Sequence, residues 1–143
     1  MTGTDAWRNF YFSVINKTVT RVTKEHLEGV AAIPASFFSY CNLLTSIEFA
    51  EGLKTINSDA FMATPVISFH FPASLTSVGD AYRNCKHIEA ITVEANNSIY
   101  YSQDNCLIKR SSNALVLGCK TSIIPNSVTK IESNAFMGRE GFT

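Results

Sequence analysis

The chain has 143 residues, 45% of them hydrophobic and 17% charged, with 12 basic residues set against 12 acidic ones. That length suffices for one domain with a hydrophobic core, and the even charge supplies no basic surface for binding a phosphate backbone. No apolar run approaches the roughly 20 residues of a membrane span, so neither nucleic acid nor a bilayer is an expected partner.

The N-terminus, MTGTDAWRNFYF, has no basic start followed by an apolar run and does not read as a signal peptide, which is the pattern of a cytoplasmic chain or of a piece of a longer one. Residues 1–22 hold Trp7, Phe10, Tyr11 and Phe12 and then the alternating VINKTVTRV. They predict an N-terminal cap, an aromatic cluster plus a strand, over residues 23–143. Beyond that cap the chain repeats itself. The apolar pairs Val30/Ile33, Leu53/Ile56, Leu75/Val78 and Val128/Ile131 fall into register, and each leads to an aromatic: Phe38, Phe61, Tyr82, Phe136. Three residues further stand Cys41, Thr64, Cys85 and Arg139, and three beyond these Leu44, Ile67 and Ile88. Ile33 to Ile56 is 23 residues and Ile56 to Val78 is 22, a period within the leucine-rich-repeat range.

The runs SIEF, SFHF and AITV alternate apolar and polar as half-buried strands do. SDAFMA and SNAFMG are too short for a full helix and read as single helical or 3₁₀ turns. The expected fold is therefore an α/β-type repeat, a solenoid of about four coils with a short parallel sheet, since one coil alone cannot bury its apolar side. Residues 95–122 interrupt the repeat. Their apolar stretches NCLIK and ALVLG, separated by RSSN, predict a β-hairpin insertion. The fourth copy then breaks off at AFMGREGFT before its strand, which leaves a coil open to truncation or to self-association with another copy.

At these residues the chain resembles the BspA-like (Treponema pallidum type) leucine-rich repeats, whose pattern runs close to IP-x-S-V-T-x-I-G-x-x-A-F-x-x-C-x-x-L-x-x-I-x-I. IPNSVTKIESNAF, residues 124–136, carries its first half, and FSYCNLLTSI, residues 38–47, its second. Pro34 in the usual glycine position, Thr64 for cysteine and Arg139 for the fourth cysteine depart from it. The resemblance implies a leucine-rich-repeat solenoid, a hairpin built into the array, and a protein-recognition surface on the strand face.

The chemistry-bearing residues are scattered. No GxSxG, HExxH or Gly-rich phosphate loop occurs, so no enzyme is expected, and no cofactor. Cys85-Lys86-His87 offers too few ligands for a structural metal, which takes four, and no metal site is expected. The four cysteines, 41, 85, 106 and 119, are expected to be reduced and buried, with Cys106 and Cys119 out of register for a cross-strand disulfide. Stacked strands instead place Glu48, His70 and Thr92 in one outward column and Ser46, Ser68 and Ala90 in another, the expected binding residues. Tyr100 and Tyr101 in the hairpin form a second candidate patch. The function expected is a non-enzymatic binding or adhesion module with a protein partner. The resemblance implies a bacterial or protozoan cell-surface setting. A structural or assembly protein, perhaps phage-encoded, and an accessory domain of a larger protein are the alternatives.

Overall fold

The computed structural model describes residues 4–138, with side chains from Arg8 onward. The expectations that concern Arg139 and the side chain of Trp7 lie outside the described residues. In chain order the elements are helix α1 (Thr4–Ile15), β1 (Arg21–Val22), a 3₁₀ turn (Lys24–Leu27), β2 (Ala32–Ile33), β3 (Ser46–Ile47), β4 (Thr55–Ile56), β5 (Ser68–Phe71), β6 (Ser77–Val78), β7 (Ala90–Val93), β8 (Tyr100–Gln103), β9 (Cys106–Lys109), β10 (Ala114–Leu117) and β11 (Lys130–Ile131).

The repeat winds as a solenoid. One side is the parallel three-stranded sheet β2-β4-β6, one strand per turn. The register Ile33↔Ile56↔Val78 places the repeat's apolar positions one above another. The other side carries the parallel pairs β1-β3 and β5-β7. Bulk chemistry follows the alternation: Phe69, Phe71 and Ile91 are buried while Ser68, His70 and Thr92 between them are exposed.

Between the two sides lies the aromatic stack. Phe38 and Phe61 lie 5.2 Å apart at 11°, and Phe61 and Tyr82 5.7 Å apart at 1°. Phe49 and Phe69 meet the Phe61 ring edge-on at 5.9 and 5.4 Å. Offset stacking and edge contacts are the arrangements aromatic quadrupoles favour. The fourth expected member differs. Phe136 is half-buried and packs in a second apolar cluster with Cys106, Ile108 and Leu115. Its ring lies over Gly118, where any Cβ would collide with it.

The segments read as helical turns are chains of β-turns. Ala60 N–H donates to Asn57 O, Met62 to Asp59 O and Thr64 to Phe61 O, each an i to i+3 bond. Asp59 and Ala63 have φ of 59° and 60°, at the third residue of the first and last of these turns, where a type II turn needs positive φ. Ser36 and Tyr40 in the preceding coil and Asn84 in the following one do the same. Left-handed residues reverse the chain too often for a helix to propagate. They also point backbone groups at the next coil: Phe38 N–H donates to Ala60 O and Phe61 N–H to Ala81 O, both at 2.8 Å. Arg83 spans the same gap, its guanidinium donating twice at 2.7 Å to Asp59, whose carboxyl it holds below the usual range.

The expected four coils are three regular turns, and the fourth copy is displaced. β8, β9 and β10 form an antiparallel meander, with a bulge between Leu115 and Leu117. β11, the equivalent of β6, pairs with β10 and not with β6. The meander has taken the slot that a fourth coil would fill.

The N-terminal segment also differs from the expected aromatic cluster plus strand. It is mostly helix: Phe10 and Val14, four apart, fall on one face and are both buried. The Phe10 ring reaches Phe38 at 6.4 Å and so abuts the aromatic stack. A Schellman closure ends the helix, with Thr18 N–H on Ser13 O, Lys17 N–H on Val14 O and Lys17 at φ 62°. Only Arg21–Val22 of the alternating run becomes strand, pairing with β3.

Two outcomes follow from this packing. Phe61→Ala opens a cavity against the rings of Phe38, Phe49, Phe69 and Tyr82 and is expected to cost about 3–5 kcal/mol in chemical denaturation; a loss under about 1 kcal/mol would mean that the stack is misassigned. The second concerns His26, which stacks on Phe10 at 4.3 Å and 7° while its Nδ1 accepts Thr23 N–H at 3.0 Å. Burial holds its pKa below the ordinary value, with Glu25 opposing and Arg21 reinforcing the shift. The folded protein thus binds fewer protons at His26 than the unfolded one, so this stabilisation is complete above about pH 6.5 and is lost as pH falls below it. Melting temperatures between pH 8 and 5 should fall less steeply in His26→Asn, which keeps an acceptor for Thr23, than in wild type.

Candidate binding face

Strand pairing places the six expected binding residues as follows. In the β5-β7 register Ser68 lies beside Ala90 and His70 beside Thr92. Ser46 lies beside Arg21 on β1. The line continues from β3 to β5 through the Ile67 N–H donating to Thr45 O at 3.4 Å, and Glu89 N–H donates in turn to Ile67 O at 2.7 Å. Ser46, Glu48, Ser68, His70 and Thr92 are exposed; Ala90 is half-buried. The loop after β10 reaches the start of β7 beside Ala90: the Thr121 hydroxyl donates to Glu89 O, and Lys120 Nζ lies 3.1 Å from the Glu89 carboxylate.

The polar network on this face involves a residue that the columns omitted. His70 Nδ1 is 2.7 Å from Thr92 Oγ1, and its Nε2 is 3.0 Å from Glu94 Oε1. The carboxylate that meets His70 is thus Glu94, not Glu48. The alternation held the signal, since Glu94 follows Thr92 by two residues and so shares its side of the strand. Thr92 and Glu94 fix the imidazole plane across two coils, presenting a fixed polar edge outward.

The face ends at β7. Its next strand would have to accept the Ile91 and Val93 N–H groups, but side chains of the meander do so: Asn105 Oδ1 at 3.3 Å and Ser102 Oγ at 3.1 Å. Asn97, 1% exposed, fills all four of its amide positions, donating to Pro72 O and Leu75 O and accepting from the Ile99 and Tyr100 N–H groups.

The second candidate patch divides. Tyr100 is 4% exposed and its hydroxyl accepts the Val78 N–H at 3.1 Å, which makes it part of the packing between β6 and the meander. Tyr101 remains half-exposed, with the Arg110 guanidinium 5.4 Å over its ring.

All four thiols are reduced and buried, Cys41, Cys85 and Cys119 in the main core and Cys106 in the second cluster. Cys85 Sγ donates to Phe61 O at 3.0 Å, and Thr64, in the position of the repeat's cysteine, uses its hydroxyl on the same carbonyl at 2.9 Å. The buried Thr64 hydroxyl thus finds its acceptor within its own coil, whereas the cysteine reaches across to the coil before it. Among the described residues no three His, Cys, Asp or Glu side chains gather as a metal-binding group, and no helix is long and apolar enough to cross a membrane.

Coils of this length, stacked through a parallel strand side and cysteine-lined turns, are the geometry of one repeat family, and the BspA-type leucine-rich-repeat pattern matches residues 16–143 in six copies. The chain belongs to the BspA-type leucine-rich-repeat family. The match begins upstream of Val30 and so takes in β1. A leucine-rich cell surface protein from Faecalibacterium prausnitzii is similar in structure, with a TM-score of 0.75 and 28% identity over 90% of this chain and 35% of its own. The pneumococcal vaccine antigen PcpA (TM-score 0.68, 18% identity, 81% of this chain and 30% of its own) shares the fold. So does a leucine-rich repeat protein from Eubacterium ventriosum (0.51, 16%, 96% and 49%). The chain thus spans about a third of the length of the first of these neighbours. No curated protein matches it.

Burial raises the pKa of Cys41 and of Cys106, which suppresses thiolate and hence reactivity. Thiol reagents should label the native protein slowly and all four cysteines quickly once it unfolds. Fast labelling of Cys41 and Cys85 in the native state would contradict their placement in the stack.

Proposed function

We propose that this chain is a non-enzymatic protein-binding module of a bacterial cell-surface protein, acting in adhesion through its strand face. The observation that carries the reading is the alternation across β3, β5 and β7. Ser46, Glu48, Ser68, His70 and Thr92 stand outward, while the rings of Phe69 and Phe71 hold the strands flat from behind. Such a surface is rigid before a partner arrives, so little ordering cost opposes binding. The small Ser46, Ser68 and Ala90 leave a shallow track beside the fixed edge of His70, Thr92 and Glu94. A protein partner supplies the large side chains that enter it. The cell-surface neighbour from F. prausnitzii supports the setting.

A second reading, self-association or assembly through the fourth copy, has its own observation: Ile131 on β11 and Met137 are 47% and 42% exposed. Contact through them would remove apolar surface from water. Sedimentation that shifts with protein concentration, and stops shifting in Ile131→Lys, is the outcome that reading requires.

For the strand face the test is Ser68→Arg. The substitution is expected to leave stability within about 0.5 kcal/mol, as exposed changes do, and to abolish capture of surface proteins from host or neighbouring cells. A folded Ser68→Arg protein that binds as wild type does would remove the strand face from consideration.

A further inference from the structure

The displaced fourth copy leaves a cleft. Because β11 pairs with β10 and not with β6, the third coil and the fourth copy are held apart, and an opening of about 390 Å³ lies between them. Ser58 and Asp80 stand on one wall and Glu132 and Ser133 on the other, with Tyr100 and Lys109 contributed by the meander. Val78 and Val116 add apolar surface. The walls are tied together by the Asn134 amide, which donates to Asp80 Oδ2 at 2.7 Å across 54 residues of sequence. The volume falls within the range of small-molecule sites.

Three features define what would fit. Tyr100 is buried to 4%, and its hydroxyl oxygen is already engaged as an acceptor by Val78 N–H. Its own hydrogen has no acceptor among the described residues, and burial raises its pKa, so it stays a donor at the cleft. Charge is balanced around the opening: Asp80 and Glu132 face Lys109, and Lys130 Nζ lies 3.8 Å from Glu132. The cleft therefore has no net attraction for either an anion or a cation, but offers carboxylate acceptors next to hydroxyl and ammonium donors. Gly79 keeps the wall bare. A Cβ there would come within 3.2 Å of Ser58 N, tighter than an ordinary contact, so a larger residue would need the neighbouring coil to give by a few tenths of an ångström.

We propose that this cleft binds a neutral polyhydroxylated ligand, a saccharide of one or two rings. Each hydroxyl of such a ligand donates to Asp80 or Glu132 while accepting from Tyr100, Lys109 or a serine, and its C–H face lies on Val78 and Val116. The site shares no residue with the strand face, so its failure and that of the protein-binding reading are separable.

The test is an amide-resolved NMR titration with glucose, galactose, mannose, N-acetylglucosamine and their β-linked disaccharides. Inorganic phosphate and methylamine serve as charged comparisons. Saturable shifts at the Gly79, Asp80, Glu132 and Ser133 amides are expected with at least one saccharide, in the millimolar range of small polar ligands. Tyr100→Phe should weaken that binding roughly tenfold with the rest of the spectrum unchanged. Ser133→Trp, which fills the mouth from an exposed position, should abolish it, and it stands as the deciding variant if Tyr100→Phe does not fold. The proposal is overturned if no saccharide produces saturable shifts at those amides. It is equally overturned if phosphate or methylamine shifts them more strongly, or if Ser133→Trp binds as wild type does.

Discussion

Every coil of this protein leaves backbone donors and acceptors that only its neighbour can satisfy. In a two-residue strand such as β4 there is little other structure to hold the chain, so inter-coil hydrogen bonds determine where each turn may sit. The pairing from β2 through β6 and the bonds from Phe38 to Ala60 and from Phe61 to Ala81 are one system, repeated at each step. A buried backbone group without a partner costs about as much as a lost hydrogen bond, and this fixes the spacing at which Phe38, Phe61 and Tyr82 can stack. The left-handed residues at Ser36, Tyr40, Asp59, Ala63 and Asn84 serve the same end, by turning carbonyls and amides toward the next coil.

The meander meets that requirement by different chemistry. Where the strand sides stop, side chains take over from backbone: Tyr100 receives Val78, Asn105 receives Ile91, Ser102 receives Val93, and Asn97 serves Pro72 and Leu75. A regular coil could not end here without exposed edges, which invite pairing with another chain. The cost of this closure is geometric. The fourth copy must start from β10, and the cleft between Asp80 and Glu132 is what that displacement leaves behind.

Much of this was legible in sequence because the repeat checks itself. The Ile33, Ile56 and Val78 register, the alternation in SFHF and AITV, and the stacking of Phe38, Phe61 and Tyr82 all follow from aligning the chain with itself. What escaped had no copy to compare. Helix α1 closes on Lys17 at positive φ where a glycine would have marked its end. Tyr100 reads as an exposed tyrosine until the β6 amide it serves is located. Phe136 has the repeat's aromatic position, but its neighbour is Gly118, just past the inserted strand β10, rather than another coil. Glu94 was within reach of the alternation and was missed only because the columns were ended one step early.

The side-chain closure also bears on how such arrays change length over generations. Across the junction the side chains of Asn97, Tyr100, Ser102 and Asn105 bond to Pro72, Leu75, Val78, Val93 and Ile91, all in the coil immediately before them. Nothing in the junction reads how many coils precede that one. A gene can therefore duplicate or delete a whole unit upstream of Pro72 without any matching change in the junction, provided that the unit is complete and its two ends match. The number of coils and the chemistry of the junction are thereby independent of each other within a single chain.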